Sequence, residues 1–222
     1  MHTHNFSDFY CSLEHTKNVS RDCESRLFRL MALQCTAIFS TNPINSNWYT
    51  IPSVYNGRTS SLVVSGTPVN RPVGVFPHQS PNGEKATPSF QPETHLDFEL
   101  EMGIFLSKPM PRGQRPKIKD AKGFIFGMVL LNDWSSRAIQ FFEMPPLGPF
   151  HAKGSATSIS PWVVPLEALE AVTCPRSTIQ EPAPLPHLDW KDGDKVTFNV
   201  ELSVKILRPS RPSRKVCSLA NV

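Results

Sequence analysis

The sequence predicts a mixed, β-rich fold with short helices, and three features carry that expectation. Proline is about twice as common as in an average chain, at 22 of 222 residues, which favours short strands and ordered loops over long helices. Asp97-Phe98-Glu99-Leu100-Glu101-Met102 alternates acid with apolar, the period of a strand with one polar and one buried face. Phe124-Ile125-Phe126-Gly127-Met128-Val129-Leu130-Leu131 is a continuous apolar run, the pattern of a strand buried on both faces. Hydrophobic residues make up 39% of the chain, enough for one large domain or two small ones.

Taken in order, Asp8-Phe9-Tyr10 and Glu14-His15 set polar and aromatic groups close together, as in a loop with a short helical turn. Residues 26–44 are a loose apolar mixture around Cys35 without a clean period, and polar Asn42 to Asn47 follow; this segment reads as an insertion. Tyr55-Asn56-Gly57-Arg58 is expected as a turn, and Ser61 to Ser65 as a short strand before Gly66-Thr67-Pro68. Residues 76–93, rich in Pro, Ser, Gly and Asn, are expected as a surface loop leading into a strand at Leu96–Leu106. A basic loop comes next, with Lys108, Arg112, Arg115, Lys117 and Lys119 around three prolines. The apolar strand stops at Asn132-Asp133, after which Trp134 to Phe142 has helical spacing with Asp133 at the N-cap position. Pro145-Pro146-Leu147-Gly148-Pro149 ends that helix, and Ser160-Pro161-Trp162-Val163-Val164-Pro165 is a short edge strand bordered by proline. A Pro-rich connector at 182–186, a turn at Asp192-Gly193-Asp194 and an alternating strand from Val196 to Val204 complete the series.

The net charge of +4 is uneven. Lys205, Arg208, Arg211, Arg214 and Lys215 are five positives with no acid among them, and removing them from the 23 basic residues leaves 18 against 19 acidic ones. The body is near neutral, which argues against a general nucleic-acid surface, and residues 205–222 are expected as a disordered basic tail behind a domain at 1–204. Five cysteines form no Cys-x-x-Cys pair, and the polar start carries no secretory leader, so a reducing cytoplasm is the expected compartment. The apolar runs are too short to span a bilayer.

Asp97, Glu99 and Glu101 raise the first chemical question. On one strand face such carboxylates repel, and two readings are open: a hard divalent cation neutralises them, or they form a solvated edge that discourages strand pairing. Asp133 also has two readings, an N-cap ion-paired with Arg137 four residues on, or a ligand at the end of a buried strand. With the acidic strand present, Asp8, Glu99, Glu101 and Asp133 make a four-carboxylate oxygen set suited to Ca²⁺ or Mg²⁺ and poorly suited to zinc. His15, seven residues after Asp8, is a candidate general base. Lys153, Arg137 and Gln140 would be donors to negative oxygens of a substrate.

These motifs resemble the fumarylacetoacetate hydrolase family. Asp8-Phe9-Tyr10, Glu14-His15, Tyr55-Asn56-Gly57-Arg58, Val64-Ser65-Gly66-Thr67-Pro68, Glu99-Leu100-Glu101 and Asn132-Asp133-Trp134-Ser135 carry the likeness. Pro146-Leu147-Gly148-Pro149-Phe150 and Ser160-Pro161-Trp162-Val163-Val164-Pro165 narrow it to the members that cleave fumarylacetoacetate. The resemblance covers residues 5 to about 204, broken by an insertion near 28–46, and implies a partial β-roll catalytic core. By likeness, Asp8, Glu99, Glu101 and Asp133 are Ca²⁺ ligands, and Lys153 and Thr157 match positions of a second ion, Mg²⁺ or similar. His15 matches the general base, and Tyr10, Arg21, Tyr55 and Gln140 fall at substrate-binding positions.

The implied reaction is hydrolysis of a carbon-carbon bond in a β-diketo acid, giving fumarate and acetoacetate at the end of tyrosine and phenylalanine catabolism. The resemblance leaves a homodimer open and implies no nucleic-acid or membrane partner. It also implies a truncated homologue, without the family's small N-terminal barrel and without the C-terminal third that holds the glutamate orienting the histidine. The alternative is an impaired or inactive metal-binding fragment that partners a full-length enzyme.

Overall fold

A computed structural model describes residues 3–24, 44, 46–77, 87–144, 148–191, 195–207 and 216–219. The chain forms two compact units, one of Met1–Glu99 with Asn132–Ile159 and one of Leu100–Leu131 with Ser160–Val222. The fold is β-rich with short helices, as the composition predicts.

In the first unit, β1 (Phe6–Phe9) pairs antiparallel with β2 (Val54–Gly57), and Asp8 stands opposite Tyr55. Residues expected as a loop and a turn are therefore strands, joined by a pairing distant in sequence that no local pattern announces. Helix α1 (Leu13–Glu24) replaces the expected single turn. Ser12 begins it, its hydroxyl accepting the His15 N–H at 3.2 Å, and Glu14 places negative charge in the first turn. The insertion expected near 28–46 lies outside the described residues except for Ile44 and Ser46.

Next, β3 (Leu62–Val64) falls within the predicted strand. The hairpin of β4 (Val73–Pro77) and β5 (Pro88–Pro92) occupies both ends of what reads as a surface loop. Prolines sit at the two ends of β5, where a lost N–H is tolerated, and the buried Gln91 amide donates to the Phe76 carbonyl at 2.8 Å. Residues 78–86 between them are outside the described set.

Two long strands, β6 (Leu96–Leu106) and β7 (Ile125–Ser136), each pass from one unit into the other. The extent of β7 corrects the sequence reading. It continues through Trp134, whose N–H bonds the Ala156 carbonyl, so Asp133 is a strand residue and α2 begins only at Arg137 (Arg137–Glu143). Alternation explains why: Asp133 and Ser135 are fully buried on the face that Leu131 also occupies. β8 (Thr157–Ile159) runs parallel to β3, with Thr157 opposite Leu62. Phe76, Ala138, Ile139 and Ala152 form the core, with Phe142 against it. A Cβ at Gly74 would lie 2.4 Å from the Ile139 Cδ1, so glycine is what lets α2 settle on the hairpin.

In the second unit, β9 (Val164–Pro165) pairs antiparallel with β7 at Met128 and Gly127, shorter than the edge strand expected at 160–165. Phe126 is 46% exposed and Leu130 50%, while Val129 and Leu131 are buried, so this end of β7 is not covered on both faces. Helix α3 (Leu166–Leu169) buries Leu166 and Leu169. The expected strand at 196–204 divides into β11 (Thr197–Phe198), paired with β10 (Thr173–Cys174), and β12 (Leu202–Lys205). The break is a tight turn in which the Val200 N–H bonds the Phe198 carbonyl. Within the C-terminal segment, β13 (Val216–Leu219) pairs with β12, and 208–215 and 192–194 lie outside the described residues. Among the described residues no helix is long and apolar enough to cross a membrane.

Candidate active site

Strand alternation delivers the acids. Asp8 is the buried residue of β1 between exposed Ser7 and exposed Phe9, and Asp133 is wholly buried on β7. Thr157, the first residue of β8, donates its hydroxyl to Asp133 Oδ1 at 2.9 Å. From β2, the Tyr55 hydroxyl lies 3.0 Å from Asp8 Oδ2 and 2.9 Å from Asp133 Oδ2. Lys153 comes from a short 3₁₀ turn at His151–Lys153, and its ammonium donates to Asp133 Oδ2 at 2.6 Å and to Glu99 Oε2.

That turn is held from both ends. The Glu143 carboxylate at the end of α2 accepts the N–H groups of His151 at 3.0 Å and Ala152 at 2.9 Å. Phe150, just before it, has φ 59°, the left-handed region that a bulky residue rarely adopts. Its ring stacks on Tyr55 with centroids 6.0 Å apart.

Around Glu99 the acidic alternation acts as the sequence implies, with Asp97 and Glu99 on one face of β6. Arg137 joins them: its Nη2 is 2.9 Å from Asp97 Oδ2 and 2.8 Å from Glu99 Oε1, and its Nε donates to Asp97 at 3.0 Å. Arg137 thus pairs with Asp97 and Glu99 and not with Asp133. A strand residue and a helix residue four positions apart do not stack as two helix residues do. His15 Nε2 lies 3.3 Å from Glu99 Oε1, and the Tyr10 ring meets the imidazole edge-on at 5.5 Å. Gln140 is tied through its Oε1, which accepts from Arg137 Nη1 at 2.9 Å.

Buried charge sets the electrostatics. Burial pushes the Asp8 carboxyl up to about 7, and the neighbouring Asp133 pushes the same way, while Lys153 and Tyr55 pull only partly back. Burial and then the two aspartates raise the Tyr55 phenol. For Glu99, burial acts upward, but the hydrogen bond with His15 and the charges of Lys153 and Arg137 outweigh it and hold the carboxyl below the usual carboxylate range. Burial opposes charge on Lys153 and Arg137 too, yet their carboxylate partners prevail and keep both firmly protonated.

Of the residues singled out from sequence, Asp8, Tyr55, Glu99, Asp133, Lys153 and Thr157 are brought together, and Tyr10, His15 and Gln140 join through Glu99 and Arg137. Glu101 lies two residues beyond Glu99 on β6, half-buried, in the second unit. Arg21 belongs to α1, and its side chain is outside the described residues. Sequence reasoning gave no role to Asp97, beyond the acidic pattern, or to Glu93 and Glu143, which bind backbone N–H groups. For Asp97 the signal was present, as the first acid of the alternation.

The oxygens of Asp8, Glu99, Asp133 and Thr157 are hard donors, the kind that Ca²⁺ and Mg²⁺ take and zinc does not prefer. Among the described residues no three His, Cys, Asp or Glu side chains are drawn into a ready-made metal group, and the Lys153 ammonium bridges Glu99 and Asp133. Asp8 and Asp133 nevertheless converge on the one Tyr55 hydroxyl, two buried carboxyls whose mutual repulsion a cation would relieve. In donor chemistry the residues fit a hard cation.

Comparison with known proteins places the chain in a family. Residues 5–206 match the family described as fumarylacetoacetate (FAA) hydrolase, C-terminal. The chain is 39% identical over 210 residues to a fumarylacetoacetase of Oryza sativa subsp. japonica, covering 94% of this chain and 44% of that protein. It is 41% identical over 218 residues to the fumarylacetoacetase of Dictyostelium discoideum, covering 98% and 46%. For the Homo sapiens fumarylacetoacetase the figures are 40% over 204 residues, covering 90% and 43%. The chain spans a little under half the length of these curated relatives, and the match takes in every residue of the carboxylate cluster: it belongs to the fumarylacetoacetate hydrolase family.

Proposed function

We propose that this chain carries the hydrolytic site of a cytoplasmic, metal-dependent enzyme that cleaves fumarylacetoacetate to fumarate and acetoacetate, in tyrosine and phenylalanine breakdown. The observation that carries the reading is the junction at Glu99, where one buried carboxylate meets the His15 imidazole, the Arg137 guanidinium and the Lys153 ammonium. A base and two cations around one carboxylate suit a reaction that consumes a water and develops negative oxygen charge.

In this reading the His15 Nε2–H is donated to Glu99, which leaves Nδ1 as the lone pair that takes a proton from the attacking water. The water oxygen bonds to the carbonyl carbon, the adjacent carbon-carbon bond breaks, and its electron pair moves into an enolate. Lys153 and Gln140, whose Oε1 is held by Arg137 so that its amide N–H₂ can donate, steady that enolate until a proton returns to carbon. Tyr10 and Tyr55 would contact substrate. Asp8, Glu99 and Asp133 would hold a Ca²⁺ or Mg²⁺ ion, with Glu101 added from the sequence alone. When bound, that ion supplies positive charge to the diketone oxygens.

The test is the loss of diketone absorbance when fumarylacetoacetate is added to the purified chain with and without Ca²⁺ or Mg²⁺. Metal-dependent loss, abolished in His15→Gln, is expected. An unchanged spectrum at millimolar metal would refute the reading.

A further inference from the structure

We propose that Glu93 is a positioning residue whose carboxylate seats the first turn of α2 and so aims Arg137 and Gln140, an inference that rests on the reading of the site given above. Glu93 is 1% exposed. Its Oε1 accepts the N–H of His95 at 2.7 Å and of Ala138 at 3.3 Å, and its Oε2 accepts the N–H of Ile139 at 3.1 Å. The backbone round it is equally tied: the Glu93 N–H donates to the Pro72 carbonyl at 2.9 Å, and Arg71 Nη1 donates to the Glu93 carbonyl at 2.7 Å.

Helix stability alone does not call for this arrangement. A serine at the N-cap position normally accepts an orphan N–H at little cost, whereas a buried carboxylate must overcome its loss of hydration. Ser136 occupies that position, makes no side-chain cap, and its buried hydroxyl has no hydrogen-bond partner among the described residues. The capping oxygens come instead from a residue 45 positions earlier in the chain. What a distant cap adds is registration between two elements.

Glu93 begins the link that leads from β5 into β6, three residues before the strand that carries Asp97 and Glu99. By holding Ala138 and Ile139 it fixes α2 against that link, and the Arg137 N–H donating to the His95 carbonyl at 3.0 Å closes the joint. Arg137 therefore meets Asp97 and Glu99 in one orientation, and Gln140 follows one turn later. Tyr55 and Thr157 are placed by the strands that carry them, and Lys153 is tied to α2 at its far end, through Glu143.

The experiment uses the full chain with ¹⁵N NMR of arginine Nε–H and tryptophan Nε1–H groups. The Arg137 Nε–H, bonded to Asp97, is assigned by its disappearance in Arg137→Lys, and the Trp134 Nε1–H, bonded to Ser158 at 3.0 Å, is the internal control. In Glu93→Gln, where an amide N–H₂ faces a backbone N–H, and in the milder Glu93→Asp, the Arg137 signal should exchange with water about tenfold faster. The Trp134 signal should stay. Turnover of fumarylacetoacetate should show KM raised as well as kcat lowered, with kcat/KM down roughly a hundredfold in Glu93→Gln and Glu93→Asp in between. An Arg137 signal equally protected in both variants overturns the proposal, as does loss of both signals together in Glu93→Asp, which would make Glu93 a support of the fold alone. Wild type that turns over nothing while the NMR pattern holds would overturn the functional reading and leave the positioning role standing.

Discussion

Tyr55 has one hydroxyl proton, and two carboxylate oxygens lie within 3.0 Å of it. A single donor cannot satisfy both, so the second contact is favourable only when a carboxyl carries a proton. Asp8 is the group whose burial favours that state, up to about pH 7. In the unfolded chain it ionises near 3.8, so between those values the folded state holds the extra proton and stability falls as pH rises. Asp8→Asn removes this dependence. The variant, compared metal-free with wild type by urea unfolding, should gain relative stability from pH 4 to pH 7, on the order of 3 kcal/mol, and hold it above. A difference that does not change with pH would contradict the account. Glu99 has the opposite sign, its contribution present above 4.5 and lost as pH falls towards its lowered folded value. Thr157→Val takes one donor from fully buried Asp133 and should cost about 1–3 kcal/mol in the same assay.

Elements carry these residues, and the turn from Phe150 to Lys153 is the one most under constraint. A phenylalanine at φ 59° stores strain that the stack on Tyr55 and the two N–H bonds to Glu143 must offset. Phe150→Gly and Phe150→Ala both lose the stack, but only glycine relaxes the backbone. The glycine variant should be the more stable of the two by about 1 kcal/mol, read from thermal melts, and equal stability would remove the strain argument. This scale also shows what the sequence revealed. The period of Asp97, Glu99 and Glu101 announced both a strand and its polar face, because alternation is local. Asn132-Asp133-Trp134-Ser135 lacks apolar alternation, so the sequence puts Asp133 at a helix end, whereas the strand continues through a bond from the Trp134 N–H to the Ala156 carbonyl, far along the chain. The β1–β2 pairing was invisible for the same reason, and so were Glu93 and Glu143, whose partners are backbone N–H groups that no side-chain pattern marks.

For the whole molecule, the described carboxylate cluster belongs to one of two units, and that division has a measurable consequence. Asp8, Glu99 and Asp133 all lie in the first unit, so a bound ion should slow amide exchange at α2 and β8 more than at β10 and β11 in the second. Uniform slowing by mass spectrometry of deuterium uptake would contradict that division. Family membership came from motifs spread from Asp8 to Pro165, each a short stretch of the site and together specific, while composition alone indicated only a β-rich chain. The central claim is that three buried carboxylates, with Lys153 between two of them, form a place for a hard cation. Its most direct test is the melting temperature of the chain titrated with Ca²⁺ and with Mg²⁺, beside Asp133→Asn. At a hundred times the dissociation constant the ion should add about 2.7 kcal/mol to wild type, seen as a clear rise in Tm, and the variant should show little or none. A wild-type melting temperature that does not move at millimolar concentrations of either ion would contradict it.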